Sequence, residues 1–258
     1  MLSNCASQFA RAFILVLAST SLALAADGAS VQSTTVHKIE PSHSTAYTRY
    51  CSWCHGVEGD GDGASAHRFD VPATDFTRGV YKCRSTPSGA PPSEGDIRRS
   101  IREGLSSTGM PSFRAISGPE AEEIVAYLRT LIPPAVVAAS AQPIDIPPET
   151  ANDEASVQRG AATYARLKCD LCHGKDGRGG PNARKSANDN GTPAQAPRLT
   201  DSRVFKCGSS PTRLYSTIMT GLDGTPMAGY SEVATPEDVW DVVHFVKTFS
   251  TARGFAKE

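Results

Sequence analysis

Apolar residues recur at helical spacing near the end of each half of the chain. Ile124, Tyr127, Leu128 and Leu131 share one face of a segment opened by Ser117-Gly118-Pro119-Glu120. Val239, Val242, Val243, Val246 and Phe249 do the same after Thr235-Pro236-Glu237. A capping residue, an early proline and an acidic first turn mark helix starts, so each half is predicted to end in an amphipathic helix. A partner helix is expected over 44–54 in the first half and over 157–172 in the second. Tyr127 with Leu128, and His244 with Phe245, are expected to pack each terminal helix against that partner. Between the halves, 132–154 carries Pro133, Pro134, Pro143, Pro147 and Pro148 among alanines, which predicts a semi-extended linker rather than a helix. The segment 185–195, with Asn188-Asp189-Asn190-Gly191-Thr192-Pro193, has no counterpart of like composition in the first half and predicts an inserted surface loop.

The start of the chain reads differently. Arg11 precedes the apolar run Phe13–Ala18, and Leu22-Ala23-Leu24-Ala25 supplies an Ala-x-Ala site before Ala26-Asp27. That pattern predicts a signal peptide over 1–26, hence export to the periplasm or beyond and an oxidising environment. Past residue 30 no apolar run reaches membrane length, so no span is expected in the mature chain. The 258 residues carry 26 Lys+Arg against 27 Asp+Glu and are 39% hydrophobic. This balance argues against a nucleic-acid-binding scaffold, which needs a cationic surplus, and leaves enough apolar residues for two small cores, 27–131 and 155–258.

The chemistry lies in a repeat. Cys51-Ser52-Trp53-Cys54-His55 and Cys169-Asp170-Leu171-Cys172-His173 are both C-x-x-C-H, the attachment signature of c-type haem. Two thiols one helical turn apart reach the two vinyl groups of one porphyrin, and the adjacent imidazole can bind the iron. Zinc would require a second Cys/His pair at finger spacing, and none follows. The repeat continues in Gly56–Gly61 and Gly174–Gly179, in Val80-Tyr81-Lys82-Cys83 and Val204-Phe205-Lys206-Cys207, and in Gly104–Met110 and Gly221–Met227. In both of the last pairs Met follows Gly by six residues and Thr by two, so Met110 and Met227 are the candidate second axial ligands. Met219 falls outside this register and reads as a core gap-filler. Trp53 is expected to serve ordinary packing.

This order of helix, C-x-x-C-H, glycine-rich loop, proline, Met-bearing loop and terminal helix resembles the class I cytochromes c. The tandem arrangement is similar to two-haem carriers of the c4 type. The resemblance implies an all-α fold of two class I cytochrome c domains, each wrapped round one covalent haem c. Cys51, Cys54 and His55 would hold one haem, and Cys169, Cys172 and His173 the other. It implies His55/Met110 and His173/Met227 as iron ligands, and Pro72 and Pro197 as the carbonyls that orient the two histidines.

Cys83 and Cys207 are left over, at equivalent places. A disulfide between them, two separate thiols, or a thiolate on or near a haem iron are all open readings. Upstream of Met110, Arg78, Lys82, Arg84, Arg98, Arg99 and Arg102 form a basic group, read either as a solvated face that also partners haem propionates or as a docking rim. The sequence favours an electron carrier, with a donor dehydrogenase or cytochrome and an acceptor oxidase or reductase as partners. The alternatives are a sulfur-compound dehydrogenase or peroxidase with a displaceable or Cys-ligated haem, and a haem subunit of a larger dehydrogenase, oxidase or self-associating cytochrome assembly.

Overall fold

The computed structural model describes residues 44–138 and 142–251, and the expected signal peptide at 1–26 lies outside them. The described residues form α1 (Thr45–Tyr50), α2 (Ser52–His55), α3 (Glu94–Glu103), α4 (Gly118–Leu131), α5 (Pro134–Ala138), α6 (Glu154–Arg166), α7 (Asp170–His173), α8 (Pro211–Thr220) and α9 (Pro236–Thr251). Among them there is no strand, only an isolated bridge between Ala187 and Pro193. The protein is all-α. None of these helices is long and apolar enough to cross a membrane.

Capping chemistry sets the helix starts. Ser93 accepts from the Asp96 N–H while Asp96 accepts from the Ser93 N–H, and Ser117 and Glu120 repeat that reciprocal pair at α4. Asp153 caps α6 through the Ser156 N–H. In the first half Tyr47, Phe76, Ile97, Ile101, Ile124, Val125 and Leu128 form the core. In the second, Tyr164, Tyr215, Val239, Trp240, Val242, Val243 and Val246 do so. The terminal helix packs on its partner as expected: Tyr47 lies 4.7 Å from Tyr127 between ring centroids, and Tyr164 lies 5.3 Å from Phe245. At the α6–α9 crossing Gly160 has no room for a side chain, because a Cβ there would stand 2.0 Å from the Asp241 carbonyl oxygen.

Three expectations are corrected. The single helix expected over 44–54 is broken at Cys51, and the one over 157–172 is broken around Leu167–Cys169, so that each attachment motif occupies its own short turn. The linker contains a helix after all: α5 starts on Pro134, whose fixed φ suits a first helical position, and continues through Ala135-Val136-Val137-Ala138. Beyond it the chain is extended, yet it is no free tether. The Ile144 N–H donates to the Ser85 carbonyl at 2.7 Å, Ile144 and Ile146 pack on the second core, and the Trp240 indole N–H donates to the Pro147 carbonyl. The 185–195 loop folds back on itself and rests on its own half through the Asp189 N–H to the Gly224 carbonyl.

The halves meet at a covalent seam. Cys83 and Cys207 are joined by a disulfide, with Cα atoms 5.3 Å apart. Beside it the Arg84 guanidinium, fully enclosed, donates to the Thr220 carbonyl at 2.6 Å and to Asp223 at 2.7 Å. Asp223 also accepts from the Ser88 hydroxyl and the Gly89 N–H. An arginine buried this way needs every donor answered, and with the Tyr81 and Pro87 carbonyls also accepting from it, its acceptors come from both halves.

Candidate haem-binding sites

Each C-x-x-C-H turn is held by the same polar contact. The buried Tyr47 hydroxyl donates to the Gly56 carbonyl at 2.8 Å, and the Tyr164 hydroxyl donates to the Gly174 carbonyl at 2.8 Å. Cys51 follows Tyr47 by four positions, but Cys169 follows Tyr164 by five. The second half absorbs its extra residue at Lys168, which takes a left-handed conformation with φ of 62°. The two attachment turns are therefore alike although the chain enters them differently.

The histidines are oriented from behind. His55 Nδ1 lies 3.0 Å from the Thr74 carbonyl, and His173 Nδ1 lies 3.2 Å from the Pro197 carbonyl. A carbonyl can only accept, so Nδ1 carries the proton and Nε2 keeps its lone pair for a metal. In the second half this carbonyl belongs to Pro197. In the first it belongs to Thr74, two residues beyond Pro72, which lines the cavity instead. The reason is that any residue supplies a carbonyl, so only backbone register, fixed by Phe76 N–H to Gly59 and Leu199 N–H to Gly177 (both 2.7 Å), decides which one is used. Burial pushes both imidazoles below their ordinary pKa, against the opposing pull of these hydrogen bonds, and keeps them neutral. Phe76 stacks on the His55 ring at 4.5 Å.

The methionine loops are superimposable bond by bond. The Leu105 N–H donates to the Met110 carbonyl (3.1 Å), and the Leu222 N–H donates to the Met227 carbonyl (2.8 Å). The Thr108 hydroxyl donates to the Leu105 carbonyl (2.7 Å) and accepts from the Met110 N–H (3.1 Å). Thr225 does the same between Leu222 and Met227, at 2.7 and 3.2 Å. The loop opens on a glycine with positive φ, Gly104 at 71° and Gly221 at 69°. A Cβ there would lie within 2.7 Å of Pro111 or 2.5 Å of Gly229 backbone, so the position admits only glycine.

In the first half these parts surround one cavity, which opens to solvent. Cys51, Cys54, His55 and Met110 all line it, and the rest of its wall is mostly apolar, including Phe69, Val71, Ile101, Phe113 and Leu128. None of the four attachment cysteines is in a disulfide, so each is available for a thioether bond to a haem. A mostly apolar cavity with two thiols one turn apart, a neutral imidazole and a thioether fits a haem. It fits a hydrated cation poorly, and no cluster of three or more His, Cys, Asp or Glu suited to a bare metal ion occurs among the described residues.

Other side chains settle differently from their sequence reading. With both sulfurs bonded to each other, neither Cys83 nor Cys207 is a thiolate in this structure. Of the basic group, Arg98 forms a two-pronged pair with Glu122, Arg99 pairs with the buried Asp96, and Arg84 pairs with Asp223. These cations serve intramolecular pairing rather than an open rim. Trp53, expected to pack, is 69% exposed, and Leu171 at the equivalent position is 40% exposed, because the turn aims its thiols inward and its third residue outward. Met219 packs against the second core. Sequence reading used the two threonines only for their register and missed Tyr47 and Tyr164. Their signal was there: each stands at a matched place in the repeat with a hydroxyl that a buried turn must satisfy.

Comparison with known proteins agrees with this geometry. A chain of the Kuenenia stuttgartiensis reducing HAO-like protein complex Kustc0457/Kustc0458 is similar in structure, with a TM-score of 0.75 and 30% identity over 82% of this chain and 97% of that one. No curated protein matches the chain. Residues 42–128 and 155–246 match the family described as cytochrome C oxidase, cbb3-type, subunit III. With two matches that together span more than half its length, the chain belongs to this family of cytochrome c domains, which hold haem c covalently.

Proposed function

We propose that the chain is an exported, two-haem electron-transfer protein of the periplasm, with residues 1–26 removed as a signal peptide. Cys51, Cys54, His55 and Met110 would hold one haem, and Cys169, Cys172, His173 and Met227 the other. The haem supplies a one-electron couple at its iron. The protein's own residues do the rest. Tyr47 and Tyr164 fix the attachment turns, Thr74 and Pro197 aim the imidazoles, and the Thr108 and Thr225 loops hold the thioethers in place. The observation that carries the reading is the duplication itself, bond for bond, of a histidine whose Nδ1 is committed and a methionine loop pinned by threonine. With His55 and Met110, and His173 and Met227, each available to hold an iron, a substrate would have to displace a ligand, which favours transfer over catalysis.

Its partners would be a donor dehydrogenase or cytochrome and an acceptor oxidase or reductase. The likeness to one chain of a Kuenenia stuttgartiensis complex favours a second form of the same reading, an electron-transfer subunit within a larger redox assembly. The test is a haem count by alkaline pyridine haemochrome on purified protein, with visible spectra of the ferric and ferrous states. Two haems per chain, a red charge-transfer band worth two Met-ligated irons, and no change on mixing with cyanide are expected. One haem, or rapid cyanide binding, would overturn the carrier reading. Size exclusion of native extract distinguishes a free chain from a subunit.

A further inference from the structure

The two halves differ behind their attachment-motif histidines. In each, a carbonyl accepts from the imidazole, and the residue two positions on donates its N–H to the glycine-rich loop. These pairs are Thr74 with Phe76, which donates to Gly59, and Pro197 with Leu199, which donates to Gly177. Phe76 and Leu199 thus share one register, and both are buried. The Phe76 ring lies on the His55 ring, 4.5 Å between centroids and 25° from parallel. Tyr81 stacks on Phe76 at 5.6 Å, and Tyr47 meets it edge-on at 6.5 Å. Leucine has no ring, so His173 receives no such face from Leu199.

Packing alone does not dictate this difference. A Cβ at Gly59 would meet Leu131 and, at 3.5 Å, Phe76, and one at the equivalent Gly177 would stand 2.7 Å from Phe249 and 3.2 Å from Leu199. Each glycine is therefore wedged between one phenylalanine and one leucine, in exchanged places. Phe76 of the loop stands with Leu131 of α4, and Leu199 of the loop stands with Phe249 of α9. The two arrangements carry the same side-chain volume, and cores tolerate volume-conserving exchanges best. What changes with the exchange is the ring over the imidazole.

We propose that Phe76 is a positioning residue for His55 whose ring face stabilises the ferric state of the first haem, and that Leu199 leaves the second haem without that contribution. The inference rests on the two-haem reading and deepens it, by naming one side chain that sets the two haems apart. An imidazole bound to iron gives up electron density, and gives up more to ferric than to ferrous iron. The face of a phenyl ring is electron-rich and attracts positive charge. The contact is therefore stronger in the ferric state, which lowers the reduction potential. Offset stacking also holds the plane of the imidazole, beyond what the Thr74 carbonyl alone fixes.

The test uses the full-length holoprotein, each form after a haem count. Wild type is compared with Phe76→Leu/Leu131→Phe, with Leu199→Phe/Phe249→Leu, and with a chain carrying pentafluorophenylalanine in place of Phe76. Spectroelectrochemical titration reads the two midpoint potentials. Proton NMR of the ferric protein reads the haem-methyl resonances, whose order reports the imidazole plane. Phe76→Leu/Leu131→Phe is expected to raise one potential and to reorder the methyl resonances of that haem. Leu199→Phe/Phe249→Leu is expected to lower the other potential. In either variant a single electron shared between the haems is expected to shift about two- to fivefold toward the first, the size of a modest cation–π contact. Pentafluorophenylalanine keeps the shape of the ring and inverts the charge of its face, so it is expected to raise the first potential with the methyl order kept. Loosened packing would instead admit water, which favours the charged ferric state and lowers the potential. A fall in either first-half form therefore overturns the proposal, as do unmoved potentials with two haems retained. If the exchanged variants fail to take up haem, the fluorinated chain decides, and an unmoved potential there overturns the proposal. Fewer than two haems in the wild type would overturn the two-haem reading itself.

Discussion

The two halves build the same site on different supports. In the first, the helix pair is apolar inside, with Tyr47, Ile124, Val125 and Leu128 buried, and its polar ties lie at the surface, as in Tyr50 to Glu120 and Arg98 to Glu122. In the second, polarity is inside. The Ser156 hydroxyl donates to Asp241 and lies 2.6 Å from His244 Nδ1, Arg159 grips Asp241 with two donors, and His244 Nε2 lies 3.2 Å from Glu149 of the linker. That network binds the linker to α9, a task the first half does not have. The difference separates what a haem site needs, which is duplicated, from what an assembly of two sites needs, which is not.

The largest expected effect comes from cutting the seam. In the chain-entropy model a loop closed over 124 residues contributes about 5 kcal/mol, less any strain. The double variant Cys83→Ala/Cys207→Ala is expected to lower the denaturant midpoint strongly and to split one unfolding transition into two. A single unshifted transition would mean that Arg84 and Asp223 join the halves without help. Next comes the buried network. Asp241→Ala strips the buried Ser156 hydroxyl of its acceptor and the largely exposed Arg159 of its partner. A buried polar group left unsatisfied costs about 1–3 kcal/mol, so the variant is expected to destabilise the second half by about 2 kcal/mol and leave the first untouched. Calorimetry on the reduced protein would resolve the halves, and equal losses in both would erase the contrast.

Acid should reach the first half through Asp96. Burial raises the Asp96 pKa, but the Ser85 N–H, the Ser93 and Ser85 hydroxyls and Arg99 outweigh it, and the net shift is downward. A depressed carboxylate stabilises fully above its unfolded pKa, about 3.9, and that stability is lost as pH falls below it. Asp96→Asn is expected to cost about 2 kcal/mol at neutral pH, since hydrogen bonds to charged groups are worth about 1.5–3 kcal/mol each. The variant should also flatten the acid limb of the stability profile below about pH 4. A variant with an unchanged acid limb would show that Asp96 is not the group responsible.

How much of this could be read in the sequence follows from what each feature depends on. The attachment motifs, the methionine register and the terminal helices are local patterns, and they were legible. Helices α3 and α8 were not foreseen. In Glu94–Glu103 only Ile97 and Ile101 are buried apolar residues, so the segment shows little helical periodicity and its arginines read as a solvated face with propionate partners or as a docking rim. Their partners are out of sequence reach: Arg98 meets Glu122, and Arg84 meets Asp223 in the other half. The choice of Thr74 over Pro72 was hidden for a different reason, because a backbone carbonyl leaves no mark on residue identity. The Cys83–Cys207 pairing stood among three open readings, since spacing alone says nothing of how two domains dock.

The smallest effect tests the finest difference between the halves. Tyr164 and Cys169 are one residue further apart than Tyr47 and Cys51, and the Cys169 N–H accordingly reaches back five residues to the Tyr164 carbonyl, where the Cys51 N–H reaches back four to Tyr47. Lys168 accommodates the extra residue at φ of 62°, a conformation that costs a side-chain-bearing residue about 1–2 kcal/mol. Glycine adopts it freely but loses about 0.5–1 kcal/mol through its unfolded-state entropy. Lys168→Gly is therefore expected to stabilise the second half by about 0.5–1 kcal/mol, read as a small rise in its melting temperature with the haem spectra unchanged. Gly at Tyr50, the residue before Cys51, should destabilise instead, because that position is helical and its hydroxyl donates to Glu120. Gain at one and loss at the other would show that the extra residue, and not the attachment turn itself, is where the second half carries strain.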